Sequence, residues 1–285
     1  MTTGTDASTT VVTPAVLRDW PLPAPGGSKD ARGRVVVVGG SARTPGAVVL
    51  GGLAALRVGA GRLTLVVPES IAGRVAIAVP EAGVVALADG RGAVLADDAC
   101  DELESADAVV VGPGFVEPGI ALRAVAEVCE GIAAHTGLVL DAFALGVLPD
   151  LDDLVLPAET VFTPNLEEAG ILLGRDVDDA RAAVAEIAGR YGASVTCYGE
   201  IADEDDGSWS VGAGGPGLGT SGSGDVLAGA VAGLLAQGAD AAQAAVWGTF
   251  AHATSGDRLA ARIAPVGFLA RELCDELPRA LAAVG

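Results

Sequence analysis

The chain has 285 residues, 51% of them hydrophobic and 19% charged, a composition that supports a large folded core and excludes intrinsic disorder as its general state. Its 37 acidic and 17 basic side chains give a net charge of −20, which argues against nucleic acids and anionic membranes as partners because both are negatively charged. The single lysine, Lys29, excludes a Walker A loop, and four scattered cysteines are typical of reduced thiols in a cytoplasmic protein.

The N-terminal part of the chain is polar and then proline-rich, and it lacks the pattern of a signal peptide. We therefore expect a flexible tail over 1–30 and one domain over 31–285. That domain opens with the β-branched run Arg34–Val38, a predicted strand, followed by an apolar helix over 45–58. A second apolar strand at Leu63–Val67 completes a β-α-β unit, whose uniformly apolar strands are typical of a parallel sheet buried on both faces.

Predicted strands and helices continue to alternate along the chain. Strands are expected at 108–111, 138–140, 160–162 and 194–197, with helices among them at 121–133, 166–173 and 179–191. This alternation predicts a single-domain α/β fold, an open and mostly parallel sheet with helices on both faces. Ligands bind such sheets at the carboxyl ends of the strands, where Gly112-Pro113-Gly114, Asp141 and Thr163-Pro164-Asn165 lie.

The least charged stretch of the chain is Val226–Gly256, in which Asp240 is the only charged residue. Gln237-Gly238 followed by Asp240 is a helix stop followed by a helix start. We therefore expect two buried helices of a soluble domain in place of a membrane span. His252, in the second of these helices, is expected to be a buried core histidine.

The segment from Gly219 to Gly229 places a glycine-rich loop directly before a strongly apolar helix. The first N–H groups of a helix have no intrahelical partners, and with the helix dipole they form an anion-binding site. Gly222 and Gly224 would let the backbone approach a phosphate closely. Asp225, at the mouth of the same helix, is the candidate general base for an attacking hydroxyl. The alternative is that Asp225 merely caps the helix.

The octapeptide Gly222–Gly229 reads Gly-Ser-Gly-Asp-Val-Leu-Ala-Gly, and it resembles a motif of the ADP-dependent NAD(P)H-hydrate dehydratases, a branch of the ribokinase-like superfamily. Other segments match that family in the same order, so that the resemblance covers roughly residues 28–282. These segments are Val36–Ser41, Pro45–Ala47, Arg57–Gly61, Pro80–Ala82, Gly112–Phe115 and Leu140–Leu145. The resemblance implies a ribokinase-like domain.

The resemblance also implies a lyase that repairs damaged cofactors. Hydrated NADH or NADPH would be dehydrated at the expense of ADP or ATP, with Mg²⁺ accompanying the nucleotide. Asp225 would deprotonate the ring hydroxyl, which attacks the terminal phosphate, and the N–H groups of Gly222, Ser223 and Gly224 would stabilise the transferring phosphoryl group. The implied partners are these small molecules and further copies of the chain, in a homo-oligomer such as a tetramer.

The family's motifs assign further site residues by matching position. Ala47, Gly114, Asn165 and Asp225 would bind the hydrate. The residues expected to contact the nucleotide are Tyr198, Gly199, Glu200, Ile201, Ala202 and Gly224. Trp209, which flanks an acidic turn, is a weaker candidate for stacking on adenine.

Three residues depart from the family's pattern. Asn165 stands where the family has histidine, Tyr198 where it has lysine, and Phe143 where a second aspartate is usual. Asn165 and Glu168 together resemble the ribokinase motif that organises magnesium and phosphates, so Glu168 is the candidate metal contact. The alternative for Glu168 is a solvated first helical turn.

These departures keep two alternatives to the dehydratase open. One is a ribokinase-like kinase that phosphorylates a small hydroxylated compound, similar to the hydroxymethylpyrimidine kinases. The other is a non-catalytic, nucleotide-binding paralogue, which the tyrosine in place of the family's lysine suggests.

Overall fold

The computed structural model describes residues 9–87, 94–152 and 154–285, and within them ten strands form one sheet. The strands are β1 (Thr10–Val11), β2 (Arg34–Val38), β3 (Arg62–Pro68), β4 (Gly83–Leu87), β5 (Ala108–Val111), β6 (Gly137–Leu140), β7 (Thr160–Phe162), β8 (Ser194–Cys197), β9 (Glu200–Ala202) and β10 (Ser208–Ser210). Their order across the sheet is β1-β10-β9-β8-β7-β6-β5-β2-β3-β4. All neighbours from β8 to β4 are parallel, whereas β9 is antiparallel to both of its neighbours. The predicted open, mostly parallel sheet is confirmed.

The helices lie on both faces of this sheet, as predicted. They are α1 (Pro14–Asp19), α2 (Gly46–Arg57), α3 (Glu69–Ala78), α4 (Asp97–Glu104), α5 (Pro118–Gly131), α6 (Phe143–Val147), α7 (Leu166–Leu173), α8 (Ala180–Tyr191), α9 (Ser223–Leu235), α10 (Ala241–Arg262) and α11 (Ala270–Ala282). The sequence did not predict α1, α3, α4 or strands β1 and β4.

Strand β2 shows why its valines form an unbroken run. Val35 and Val37 belong to a core shared with α2, α9, α10 and α11, whereas Val36 and Val38 belong to a second core beneath α4, α5, α7 and α8. Each of these valines is at most 1% exposed. Since successive side chains point to opposite faces and both faces are covered, every position of the strand is apolar.

Helices α2 and α9 pack closely along faces of small residues. A Cβ added at Gly229 would overlap the carbonyl oxygen of Gly51, and one added at Gly233 would lie 2.7 Å from the carbonyl oxygen of Ala55. The contacts advance in the same direction on both helices, so α2 and α9 run parallel. Because α2 follows β2, α2 begins at the carboxyl edge of the sheet. Its residue Gly51 lies beside the Asp225 backbone, since a Cβ added there would be 3.3 Å from the Asp225 carbonyl oxygen.

The N-terminal segment is docked, in contrast to the flexible tail that the sequence predicted, although its first eight residues lie outside the described part of the chain. β1 pairs with β10, and Leu17 of α1 is fully buried. The rings of Trp20 and Trp209 stack with centroids 5.8 Å apart, and the Trp20 carbonyl accepts a hydrogen bond of 2.9 Å from Trp247 Nε1. Burial of this apolar surface stabilises the docked segment, and the stack covers Trp209, the residue predicted to contact adenine.

The apolar stretch predicted as two buried helices forms α9 and α10. Asp240 begins α10, because its Oδ1 accepts the Gln243 N–H at 2.7 Å. None of the helices in the described ranges is both long and apolar enough to span a bilayer.

Candidate active site

A cleft of about 530 Å³ opens at the carboxyl ends of β7 and β8. Its walls are the loop after β7, the loop after β8 and the glycine-rich loop that leads into α9. The lining includes Asn165, Tyr198, Gly199, Ser223 and Gly224, which the sequence predicted as site residues from three separate segments. The fold brings these segments together because parallel strands end at one edge of the sheet.

The glycine-rich loop enters α9 at Gly222, whose φ of 88° lies in the left-handed region that favours glycine. A Cβ at this position would also overlap the Leu50 side chain. No side chain caps α9, so its first N–H groups depend on other partners. The Ser223 N–H donates to the Thr220 carbonyl at 3.2 Å, whereas those of Gly222 and Gly224 donate to no described residue. Gly222 and Gly224 thus retain the free amides that an anion site requires.

Asp225 is the third residue of α9, and it does not cap the helix, since the N-cap position belongs to Gly222 and no side-chain cap bond is made. Burial and, to a smaller extent, the negative charge of Glu168 raise the pKa of Asp225 from 3.8 to about 6. A carboxylate with this pKa is largely ionised at neutral pH and is a stronger base than an ordinary aspartate. The alternative of a capping role alone therefore does not hold.

Asn165 and Glu168 form a capping box at the start of α7. Asn165 Oδ1 accepts the Glu168 N–H at 2.9 Å, and Glu168 Oε2 accepts the Asn165 N–H at 2.9 Å. Burial raises the pKa of Glu168 above its usual value, so the side chain is not part of a fully solvated helical turn. One of its carboxylate oxygens is occupied by the cap.

Asp141 is a buried acid next to this site, and the sequence assigned it no role. It is 4% exposed at the end of β6, and its Oδ1 accepts a hydrogen bond of 2.6 Å from Thr163 Oγ1. Burial dominates the rise in the pKa of Asp141 to about 8, and the negative charges of Asp225 and Glu168 add to it. Asp141 is therefore mainly protonated at neutral pH. Its place at the end of a predicted strand was the signal available in the sequence.

His252 is a buried histidine with a satisfied hydrogen bond, as the sequence predicted. Its Nε2 lies 2.9 Å from Ser223 Oγ, and burial lowers the pKa of His252 to about 4. The ring is thus neutral near pH 7. Ser223 is the first residue of α9, and His252 lies 29 positions further along, in α10. The sequence did not reveal that the neutral ring of His252 is hydrogen-bonded to Ser223.

Ala47 and Gly114 lie together, as the predicted hydrate site requires. A Cβ at Gly114 would lie 3.0 Å from the Ala47 Cβ, and Thr44 Oγ1 donates to the Gly114 carbonyl at 2.7 Å. Ala47 belongs to the first turn of α2, which packs against α9. These residues are therefore on the α2 side of Asp225, and Asn165 is on the α7 side.

The predicted nucleotide segment is only partly exposed to the cleft. Tyr198, 73% exposed with a φ of 49°, and Gly199 line it. Ile201 and Ala202 are buried in the core, and Glu200 is bonded to Arg181 and to Ser210. The described lining of the cleft contains no lysine or arginine, so none of these lining residues replaces the family's lysine at position 198.

Comparison of the sequence with known proteins identifies the family. A sequence model described as NAD(P)H-hydrate dehydratase matches residues 35–279. The ADP-dependent (S)-NAD(P)H-hydrate dehydratase of Xanthomonas campestris pv. campestris is 46% identical over 277 residues, covering 94% of each chain. This chain belongs to the NAD(P)H-hydrate dehydratase family. Membership confirms the resemblance and the lyase class that the sequence implied.

Longer relatives agree with this dehydratase family, and solved structures agree with the fold. The bifunctional NAD(P)H-hydrate repair enzyme Nnr of Escherichia coli is 33% identical over 92% of this chain, which spans 50% of that enzyme. The ADP/ATP-dependent NAD(P)H-hydrate dehydratase from Bacillus subtilis, co-crystallized with ATP/Mg²⁺, matches 98% of this chain and 99% of its own with a TM-score of 0.80 at 22% identity. Arabidopsis thaliana ribokinase, complexed with ribose and ATP, matches 87% of this chain and 98% of its own with a TM-score of 0.61 at 14% identity. The structural matches show a ribokinase-like fold.

Proposed function

We propose that this chain dehydrates hydrated NADH and NADPH at the expense of ADP or ATP and so restores the reduced nicotinamide. The observation that carries the proposal is the position of Asp225, a carboxylate with a pKa of about 6 that directly follows the free N–H of Gly224 at the start of α9. A base and an anion site at one helix end suit the attack of a hydroxyl on a phosphate.

The first step is phosphoryl transfer to the substrate. Asp225 takes the proton of the ring hydroxyl as the hydroxyl oxygen attacks the terminal phosphorus of the nucleotide. The bond from that phosphorus to the bridging oxygen breaks, so ADP leaves as AMP, or ATP as ADP. The N–H groups of Gly222 and Gly224 donate to the phosphoryl oxygens, where charge is redistributed.

The second step is elimination of phosphate from the ester just formed. The carbon–oxygen bond breaks with its electron pair on the phosphate, and the neighbouring ring carbon loses a proton to that phosphate, which leaves as hydrogen phosphate. The ring double bond is thereby restored, and the products are the reduced cofactor, inorganic phosphate and the shortened nucleotide. Phosphate is a much better leaving group than hydroxide, which is why the reaction consumes a nucleotide.

The two substrates are proposed to approach from different sides of Asp225. The hydrate lies against Ala47 and Gly114 and reaches Asn165, which also lines the cleft. The nucleotide lies in the part of that cleft bounded by the segment that begins at Tyr198. The contact between Gly51 of α2 and the Asp225 backbone supports the first assignment, because Ala47 is one turn away on the same helix. The lining of the 530 Å³ cleft supports the second.

Magnesium is proposed to enter on the nucleotide. When bound, it neutralises phosphate charge. Among the residues that the structure describes, no group of three or more His, Cys, Asp or Glu side chains is placed to hold a metal ion. One oxygen of Glu168 is committed to the Asn165 N–H, so the nucleotide phosphates supply most ligands and the second Glu168 oxygen is the candidate protein contact.

We also infer a cytoplasmic homo-oligomer such as a tetramer. The location is supported by the cysteines, all four of which are free thiols. The assembly is supported by the family resemblance alone. Size-exclusion chromatography with light scattering tests it, and a monomer at micromolar concentration would contradict it.

The enzymatic test follows the absorbance of the reduced nicotinamide. The purified chain is mixed with hydrated NADH, Mg²⁺ and either ADP or ATP. We expect the absorbance to recover with at least one nucleotide and Asp225→Asn to abolish the recovery while nucleotide still binds by calorimetry. Asp240→Asn is the matched control and should keep full activity, because asparagine caps a helix as well as aspartate does.

A second candidate is a kinase of small hydroxylated compounds, which the pairing of Asn165 with Glu168 favours. It would use the same base and the same amides, and its product would be a stable phosphate ester. If the folded chain binds nucleotide but restores no absorbance, a screen of small alcohols for nucleotide consumption tests this candidate. Binding without turnover of any alcohol would support a non-catalytic paralogue.

A further inference from the structure

A second cleft, of about 240 Å³, opens at the carboxyl ends of β2, β3 and β5. Its lining includes Gly40, Ser41, Ser70, Phe115 and Arg123. Its volume is below the range of about 300–1,000 Å³ that sites for whole small molecules occupy. The cleft is therefore sized for one end of a larger ligand.

This second cleft is continuous with the proposed hydrate site. Gly40 lies on its wall, and a Cβ at Gly114 would be 3.1 Å from the Gly40 Cα. The Gly40 N–H also donates to the Pro113 carbonyl at 2.7 Å. Phe115, the next residue after Gly114, lines the cleft. A ligand held at Ala47 and Gly114 thus has one end free to enter this cleft.

Arg123 of α5 is the cationic group of the second cleft. Its Nε is buried and has no hydrogen-bond partner, and its guanidinium forms no salt bridge with a described carboxylate. Several other arginines of this acidic chain pair with carboxylates: Arg258 and Arg262, for example, both bind Glu276. A buried Nε–H without an acceptor is costly, because this donor has lost water and gained nothing in return. An anionic ligand would satisfy it.

The surroundings of Arg123 favour an anion as well. Helix α3 begins at Glu69, between the cleft residues Pro68 and Ser70, without a side-chain cap. Its first amides and its dipole add positive potential, which the Glu69 carboxylate in the same turn partly offsets. Ser41 and Ser70 contribute hydroxyl donors. Glu117 is the acidic group of the lining, and its side chain lies at an exposed position, where water screens its charge.

We propose that Arg123 binds a phosphate of the hydrated dinucleotide and so helps to determine which hydrate the enzyme prefers. This inference rests on the proposed function, because it assumes that the hydrate occupies Ala47 and Gly114. Guanidinium groups recognise phosphate with two parallel hydrogen bonds. The substrate offers two sources of that chemistry, the pyrophosphate that both hydrates share and the 2′-phosphate that only hydrated NADPH carries.

The test compares Arg123→Gln and Arg123→Lys with the unmodified chain. Arg175→Gln is the matched control, because it removes one positive charge from an exposed pair with Glu186 that is not part of the cleft. Dissociation constants of the two products, NADPH and NADH, are measured by nicotinamide fluorescence, and KM is measured for both hydrates. Thermal unfolding verifies that each variant is folded.

We expect Arg123→Gln to weaken binding about ten- to a hundredfold, as loss of a charged hydrogen bond does, with partial recovery in Arg123→Lys. A loss confined to NADPH and its hydrate assigns the contact to the 2′-phosphate. An equal loss for both cofactors assigns it to the pyrophosphate. Unchanged constants for both, in a folded variant that behaves like Arg175→Gln, overturn the inference.

The measurements also separate this inference from the proposed function. If the unmodified chain converts either hydrate and Arg123→Gln matches it in KM and in product binding, the inference alone is wrong. If the unmodified chain converts neither hydrate but loses NADPH or NADH affinity on Arg123→Gln, the proposed reaction is wrong and the cleft assignment stands. A folded chain that neither converts the hydrates nor binds the products overturns both.

Discussion

Replacing the proposed base should make the protein more stable at neutral pH, not less. In Asp225→Asn the side chain keeps its shape and loses its charge. The folded-state pKa of Asp225 is raised from 3.8 to about 6, so folding favours the protonated form. The free energy of unfolding that this preference adds is fully present below about pH 4. It falls as the pH rises between about 4 and 6, and it is lost above about pH 6. At pH 7.5 the unmodified protein therefore carries the cost of a partly buried charge.

The magnitude follows from the size of the pKa shift. A shift of about 2 units corresponds to about 3 kcal/mol at 1.36 kcal/mol per unit. The α9 dipole acts in the opposite direction, because a negative charge in the first helical turn is stabilised by about 0.3–1 kcal/mol. The burial cost exceeds the dipole benefit, so we expect a net gain of about 2 kcal/mol for Asp225→Asn. At about 2–4 °C per kcal/mol, Tm should rise by about 4–8 °C.

The assay is thermal and urea unfolding at pH 4, 5.5 and 7.5, together with turnover. The Tm of Asp225→Asn should equal that of the unmodified protein at pH 4 and exceed it at pH 7.5. Its turnover rate should fall by about 10²–10⁴-fold. Asp240→Asn should change neither stability nor rate, because that side chain caps α10 in either form. A lower Tm for Asp225→Asn at pH 7.5 would refute the burial argument, since it would mean that the charge stabilises the fold.

Other substitutions test the surroundings of the site. Glu168→Gln should move the acid limb of the pH–rate profile to lower pH, because the Glu168 charge helps to raise the pKa of Asp225, whereas Asp141→Asn should leave that limb in place, since a pKa of about 8 already keeps this acid protonated there. The opposite ranking would contradict the assigned charges. Gly229→Ala should destabilise the fold by about 3 kcal/mol in urea unfolding, because its Cβ would overlap the backbone of α2, and an unchanged midpoint would show that the two helices can separate cheaply. Tyr198→Lys should tighten nucleotide binding about tenfold by calorimetry through a new phosphate contact, and an unchanged constant would mean that the pocket has adapted to tyrosine.

The fold and the centre of the site were predictable from local patterns. The valines of β2 require burial on both faces, which only a parallel sheet between helix layers supplies. The glycines before α9 indicate a backbone that must take a positive φ and leave its amides free. Burial on both faces and a positive φ each constrain only a few consecutive residues. They are therefore visible in the sequence of Arg34–Val38 and of Gly219–Gly229.

Two outcomes that the sequence did not anticipate concern contacts between distant segments. The tail that the sequence predicted to be flexible is docked by Trp20, whose ring stacks on Trp209 far along the chain. Ile201 follows the predicted nucleotide motif by position, yet it is buried in the core. Composition and spacing carry no information about which segment covers a given side chain. The docking of the N-terminal segment and the burial of Ile201 both depend on that information.

The sequence by itself thus determined the architecture, the family and the residue at the start of α9 that is proposed to act as base. Only the tertiary structure decided the chemistry of that residue, because the pKa of Asp225 depends on its burial and on Glu168 from another helix. It also placed Arg123, which pairs with no carboxylate of the described residues, in the cleft that Gly40 and Phe115 line. Backbone conformation and amphipathic pattern are short-range properties, whereas desolvation and Coulomb interactions depend on which distant groups the fold brings together.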